Sequence, residues 1–210
     1  MSETSAIATM NTPDAMKLGT VGRPIPGVEL KLAEDGELFV KGPNVMLGYK
    51  GQPEKTAEAL GADGWLATGD IAEVDADGFV KIVDRKKELI INAAGKNMSP
   101  ANIEARIKSA SPIIGQAVCI GDARPYNVAL ITLDPDAGAG HDPSSAETQE
   151  LIEAAVEKAN SQLSRVEQIK KWAILPDEWQ PGGEELTPTM KLKRKPIAAK
   201  YALQIEELYA

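Results

Sequence analysis

Two clusters of charge hold the residues best suited to chemistry. One is the run Asp84, Arg85, Lys86, Lys87 and Glu88, set between the apolar stretches FVKIV and LII. The other is MKLKRKP, which gathers Lys191, Lys193, Arg194 and Lys195 immediately ahead of a helix-forming segment. Both suit an anionic ligand held in a cleft. The first is odd as a turn, because it holds none of the Gly, Pro or Asn residues that turns use. The second is odd as a helix start, because an N-terminus already carries partial positive charge. Four cations there are mildly unfavourable unless something negative docks against them.

The rest of the chain narrows the chemistry. Cys119 is the single cysteine and His141 the single histidine, in separate segments. Zinc clusters and zincin motifs are therefore excluded. Cys119 reads as a small buried apolar residue within QAVCIG, and without a disulfide a reducing cytoplasm is the default. The DADG carboxylates lack the full calcium-loop pattern and read as a hairpin turn. The 210 residues carry a net charge of -8, which argues against nucleic acid as the main partner. From Glu29 to Gly78 there are eleven acids against four bases; from Lys81 to Lys108 there are seven bases against three acids. The start has no basic leader, and no apolar run approaches the ~18 residues of a membrane span, so a soluble or at most peripheral protein is expected.

The elements that must position these groups follow from periodicity. VELKL and ELFVK alternate as half-buried strands do, and IAEV and FVKIV flank DADG. QPEKTAEAL predicts a short helix. SPANIEARIKSA predicts another, with Ser99 at the N-cap, Pro100 at the first position and Ile103 and Ile107 one turn apart. QAVCIG, NVALITLD and KWAIL read as strands. AETQELIEAAVEKANSQL places Leu151, Ala155, Val156, Ala159 and Leu163 on one stripe. PDEWQPGGEELTPTM reads as extended. KPIAAKYALQIEELY predicts one closing helix with Ile197, Tyr201, Ile205 and Leu208 inward. The expected fold class is α+β, a β-rich barrel-like part over residues 1–86 followed by a small mixed α/β domain over 87–210.

Four stretches in order then become specific: GELFVKGPNVMLGYKGQPEKT, DGWLATGD, DGFVKIVDRKKELIINAAGKNMSPANIE and ELTPTMKLKR. Together they resemble the C-terminal part of the adenylate-forming enzymes, and the bacterial long-chain fatty acyl-CoA synthetases most. The resemblance implies the last part of a large adenylating domain, then a complete mobile C-terminal domain. It also implies a fragment, since the phosphate-binding loop and most of the acyl pocket of that family lie upstream. Its ligands would be ATP and AMP, Mg2+, a fatty acid and CoA.

Residue roles follow from the same resemblance. Lys191 would be the catalytic lysine of the first half-reaction, with Lys193 the rival by proximity. Asp70 of TGD and Arg85 would hold the ribose. Ser2 would sit beside the α-phosphate and Glu3 would hold magnesium, both expected to be disordered so near the chain start. Lys87 would be the pivot between domains, its solvated charge tolerating two orientations. Gly95, with Ala94, would line a CoA channel where backbone passes a thin ligand closely. Met190 stands where the family often has glycine. Two alternatives remain at this point: a ligase that loads a carrier protein, and a non-catalytic module that binds an anionic ligand or lipid surface. An exposed domain interface could also drive dimerisation.

Overall fold

Alternating apolar and polar residues build the first sheet. In the computed structural model, which describes residues 1–210, β1 (Thr9–Met10) and β2 (Arg23–Pro24) form a short antiparallel ladder. β3 (Glu29–Leu32) and β4 (Glu37–Lys41) follow, then α1 (Pro53–Ala59), β5 (Leu66–Val74) and β6 (Val80–Arg85). The last four strands make one antiparallel sheet in chain order, β3-β4-β5-β6. One face buries Val28, Leu38, Val40, Ala72 and Val80. The sheet is open, so the barrel-like expectation is met as a β-rich layer without closure. DADG closes the β5–β6 hairpin: Asp75 Oδ1 accepts the N–H groups of Asp77 at 3.0 Å and Phe79 at 2.9 Å, and Gly78 takes φ +80°.

The second half is layered. After a 3-10 turn at Lys86–Glu88 come the hairpin strands β7 (Ile90–Ile91) and β8 (Asn97–Met98), then α2 (Pro100–Ala110), β9 (Ile114–Ile120) and β10 (Asn127–Leu133). α3 (Ala146–Asn160), β11 (Ile169–Leu175), α4 (Arg194–Lys200) and α5 (Ala202–Tyr209) complete the chain. The sheet order is β11-β10-β9, with β10 antiparallel to β9 and parallel to β11. α3 supplies the crossover that a parallel pair needs. The central strand is buried on both faces, which is why it reads as an unbroken apolar run rather than an alternation. One core cluster joins Ile103, Ile107, Ile131, Ile152 and Val156. The other joins Leu130, Leu175, Trp179, Leu186, Ile197 and Ile205. Ser99 caps α2 by accepting the Asn102 N–H at 3.0 Å, and Ser145 caps α3 through Thr148 N–H at 3.2 Å. The chain folds as two compact units, Met1–Glu88 and Leu89–Ala210.

Three expectations are corrected. The buried stripe of α3 runs through Ile152, Ala155, Val156 and Ala159, while Leu151 is 42% exposed. These four residues sit at i, i+3, i+4 and i+7, and one step back rotates a residue by about 100° onto the outer flank. The closing helix is two helices, broken at Tyr201 with φ -103° and ψ 26°. There the Tyr201 hydroxyl accepts Trp179 Nε1–H at 3.0 Å and donates to Asp177 Oδ2 at 2.9 Å. That pin holds the ring in the core while Ile197 and Ile205 stay buried on either side. PDEWQPGGEELTPTM is not simply extended, since it buries Trp179, Glu185 and Leu186 and folds back as a hairpin through the Leu186–Leu192 bridge.

Ile152→Ala should cost about 2–5 kcal/mol in urea unfolding, because it opens a cavity at a fully buried site. Leu151→Ala should stay within about 0.5 kcal/mol of wild type. Equal losses would contradict the assigned helix face.

Candidate functional site

The TGD motif is a bulged stretch of β5. Gly69 takes φ +71°, a backbone conformation that residues with a Cβ rarely adopt. Thr68 is buried; its hydroxyl donates to the Leu38 carbonyl at 2.7 Å and accepts the Asp70 N–H at 3.1 Å. Asp70 pairs with Arg85 across the β5–β6 ladder. The Arg85 Nε lies 3.0 Å from Asp70 Oδ1, an ion-pair contact. The second Asp70 oxygen and the two terminal nitrogens of Arg85 have no protein partner. The Arg85 side chain is 60% exposed and that of Asp70 only 23%. Burial raises the Asp70 carboxyl above its ordinary range, and Arg85 opposes that rise. Acceptor and donors thus stand side by side, half in solvent, an arrangement suited to a vicinal diol.

The chain start is ordered, against expectation. A 3-10 turn at Ser2–Thr4 is docked on the loop before α1. Met46 N–H donates to the Glu3 carbonyl at 2.8 Å, and Asn44 Nδ2 donates to the carbonyls of Thr4 at 3.3 Å and Ile7 at 2.6 Å. The Tyr49 hydroxyl donates to Glu3 Oε1 at 2.9 Å. Glu3's own backbone N–H, then Tyr49, hold the Glu3 carboxyl below its ordinary range, and the Arg85 charge adds to this. Glu3, Asp70 and Arg85 therefore share one electrostatic neighbourhood. Ser2, next to Glu3 in sequence, is exposed. No group of three or more His, Cys, Asp or Glu could cage a metal ion. Glu3 offers a single ionised carboxylate, which fits magnesium bound through one protein oxygen plus phosphates and water.

The charged run is not uniformly solvated. Asp84 is buried, and its Oδ1 accepts the Arg85 N–H at 2.7 Å. Lys86 Nζ lies 2.6 Å from both Asp35 Oδ2 and Glu37 Oε2. The two carboxylates push the Lys86 ammonium up, and Lys86 holds Asp35 below its ordinary range. The Asp35 contribution is complete above the ordinary aspartate range and is lost as pH falls through the lowered value. Glu37 also accepts the Gly69 N–H at 3.0 Å, so Lys86 is tied to the TGD bulge. Lys87 is the first residue of the run left exposed without such an anchor.

The second unit presents two loops. Asn92 to Lys96 close the β7–β8 hairpin, where Asn92 Oδ1 accepts the N–H groups of Ala94 at 3.0 Å and Lys96 at 2.9 Å. Gly95 has φ +74°, and a Cβ there would meet nothing within 4 Å. Within this chain the glycine is required by its backbone angle, not by crowding. The other loop is the tip of the Leu186–Leu192 hairpin. Met190 N–H donates to the Thr187 carbonyl at 2.9 Å, and Thr187 N–H to the Lys191 carbonyl at 2.8 Å. Met190 takes φ +63°, the left-handed position that glycine favours after a tight turn. Lys191 is exposed at this tip, its N–H donating to Thr187 Oγ1 at 3.0 Å and its ammonium unpartnered. Of the neighbouring cations Lys193 and Arg194 are committed, while Lys195 is exposed beyond them. Lys193 Nζ donates to the Gly183 carbonyl at 2.7 Å, and Arg194 Nη1 and Nη2 lie 2.5 and 2.8 Å from Glu104 Oε1 and Oε2. The acid expected to neutralise the tail is thus partly internal.

Two residues escaped the sequence reading. Tyr49 carried no signal, because its partner lies 46 residues away. Glu104 did carry one: it shares the buried face of α2 with Pro100, Ile103 and Ile107. An acid on an apolar stripe calls for a buried cation.

Met190→Gly should leave thermal stability equal or raised by up to about 1 kcal/mol, since relief of a left-handed backbone costing about 1–2 kcal/mol outweighs the extra chain entropy of glycine. Met190→Val should lower it, and a stabilised valine variant would contradict the turn geometry. Carboxyl titration by NMR should find Asp70 above and Glu3 below their ordinary ranges. Asp70→Ala should move Glu3 little, because its main causes are its own backbone and Tyr49.

Residues 87–210 match the AMP-binding enzyme C-terminal domain. The chain is 55% identical over its whole length to a Mycobacterium tuberculosis protein named as the fatty-acid–CoA ligase fadD11, covering 39% of that protein. It is 44% identical to the Mycobacterium bovis long-chain-fatty-acid–CoA ligase FadD15, again over its whole length and 37% of the relative. It therefore spans about two fifths of the relatives it matches. The AMP complex of O-succinylbenzoate coenzyme A synthetase from Bacillus subtilis superposes with a TM-score of 0.70 at 27% identity, covering 93% of this chain and 39% of the other. With the TGD–Arg85 pair, the ordered hairpins and these similarities in hand, the chain belongs to the AMP-binding enzyme family and carries that family's C-terminal domain.

Proposed function

We propose that the chain is the C-terminal portion of a ligase that joins a long-chain fatty acid to CoA through an acyl-adenylate. The observation that carries this is Lys191. It is the ammonium on the hairpin tip that no protein group engages, while Lys193 and Arg194 beside it are both occupied. In the first half-reaction the fatty carboxylate attacks the α-phosphorus of ATP and pyrophosphate leaves with the electron pair of the broken P–O bond. Lys191 would stabilise the charge that spreads over the α-phosphate and bridging oxygen. Asp70 would accept from the ribose hydroxyls and Arg85 would donate to the same sugar. Glu3 would hold Mg2+, whose charge would offset that of the phosphates, with the Ser2 hydroxyl beside them. In the second half-reaction the CoA thiolate attacks the acyl carbonyl and AMP leaves.

Residues 87–210 would turn about Lys87 between the two steps, presenting Lys191 first and the Ala94–Gly95 loop second. The anchoring of Lys86 and the exposure of Lys87 support a pivot at that position. A pivot must change its backbone angles while its flanks stay packed. The single cysteine fits a reducing cytoplasm. No helix of this chain is long and apolar enough to cross a membrane.

In the full-length ligase, Lys191→Ala should lower ATP–pyrophosphate exchange by about 10²–10³-fold, the scale of one lost charge-stabilising donor. It should spare thioester formation from preformed acyl-AMP and CoA. Lys193→Ala should lower exchange far less. Retention of both half-reactions in Lys191→Ala would refute the assignment, and so would a larger loss in Lys193→Ala.

A further inference from the structure

We infer that the buried Glu104–Arg194 pair is the device that sets the Lys191 hairpin in place, so that both are positioning residues for the first half-reaction. The inference rests on the reading of Lys191 given above. Glu104 projects from α2 with its side chain 7% exposed, and Arg194 reaches it from the first turn of α4 at 23%. The contact is bidentate, at 2.5 and 2.8 Å, and Glu104 Oε1 also accepts the Cys119 N–H from β9 at 2.9 Å. One carboxylate thus joins a helix, the edge of the sheet and the tail.

Arg194 lies three residues beyond Lys191, and the stretch between them is held on its other side too. Leu192 bridges Leu186, Lys193 N–H donates to the Glu185 carbonyl at 2.7 Å, and Lys193 Nζ reaches the Gly183 carbonyl. The returning strand of the hairpin therefore has a fixed register and one fixed end. A buried ion pair is a poor stability device, since apolar residues of similar volume often serve as well. What the guanidinium–carboxylate fork adds is direction, because two parallel hydrogen bonds form in one orientation only. A displacement of about 1 Å at a catalytic group can cost on the order of 10²-fold in rate. A pair with little net benefit to stability, attached three residues from the catalytic ammonium, is placed to prevent that displacement.

The test uses the full-length ligase and reads both half-reactions beside thermal unfolding. Glu104→Gln and Arg194→Lys should lower the turnover of ATP–pyrophosphate exchange by about 10–100-fold with the KM for ATP little changed, and thioester formation from acyl-AMP should persist. In a Lys191→Ala background, Glu104→Gln should add no further loss, since the two act through one group. Should the single variants fold poorly, the Glu104→Gln/Arg194→Met double variant removes both charges and keeps a side-chain oxygen for the Cys119 N–H; it should keep its Tm yet lose the first half-reaction. Parallel loss of both half-reactions, additivity with Lys191→Ala, or a double variant that adenylates at the wild-type rate would each overturn the inference. A Lys191→Ala enzyme with normal exchange would instead remove the reading beneath it, and that result is distinguishable from the others.

Discussion

A carboxylate buried on an apolar helix face fixes much of the second unit. Glu104 is 5% exposed between Ile103 and Ile107, both fully buried. A charge in that position must be met by a cation and by hydrogen bonds. Cys119 N–H supplies a hydrogen bond and Arg194 supplies the charge. Since Arg194 lies 90 residues downstream, the requirement dictates where the tail runs after β11. α4 and α5 can then lay Ile197, Tyr201 and Ile205 against the sheet face opposite α2 and α3. The same attachment leaves the preceding hairpin tip, with Lys191, outside the core.

A similar economy governs the first unit. Glu37 is buried to 8% exposure and joins the TGD bulge to Lys86. The bulge sets Asp70 opposite Arg85, and the docked chain start adds Glu3 to the same field. Each unit therefore spends a buried acid on fixing the base of a loop while keeping the loop's outer group free. In the proposed enzyme the first unit supplies the ribose and metal contacts and the second supplies two alternative loops. Such a division needs rigid loop bases and one mobile link. In that proposal Lys87, unanchored beside an anchored Lys86, would be the link.

Much of this was legible in the sequence, and the exceptions have physical causes. Strand alternation and the Ser99 cap gave β3, β4 and α2 close to their observed bounds, because their signals are local. The candidate residues came from ordered motifs, and the structure gathers Glu3, Asp70 and Arg85 within one unit. In the α3 stripe Ala155, Val156, Ala159 and Leu163 are buried as expected, and only Leu151 stands where Ile152 belongs, because both are apolar and periodicity alone cannot choose between adjacent residues. The break at Tyr201 depends on Trp179 and Asp177, more than twenty residues away, so helix propensity could not show it. The charged run looked uniformly solvated because the acids that hold Lys86 lie about fifty residues upstream. Met190 hid a left-handed turn under a residue type that normally argues against one.

The claim that one domain serves two half-reactions by turning is tested most directly by a distance. Spin labels at Thr189, on the Lys191 hairpin, and at Lys55, exposed on α1, would report it in the full-length ligase by double electron–electron resonance. Samples would hold either ATP with an unreactive fatty acid analogue or a stable acyl-adenylate analogue with CoA. Rotation about Lys87 predicts two distinct distance distributions, with the Lys191 hairpin moved away from its first position in the second sample. A single distribution common to both would contradict the alternation.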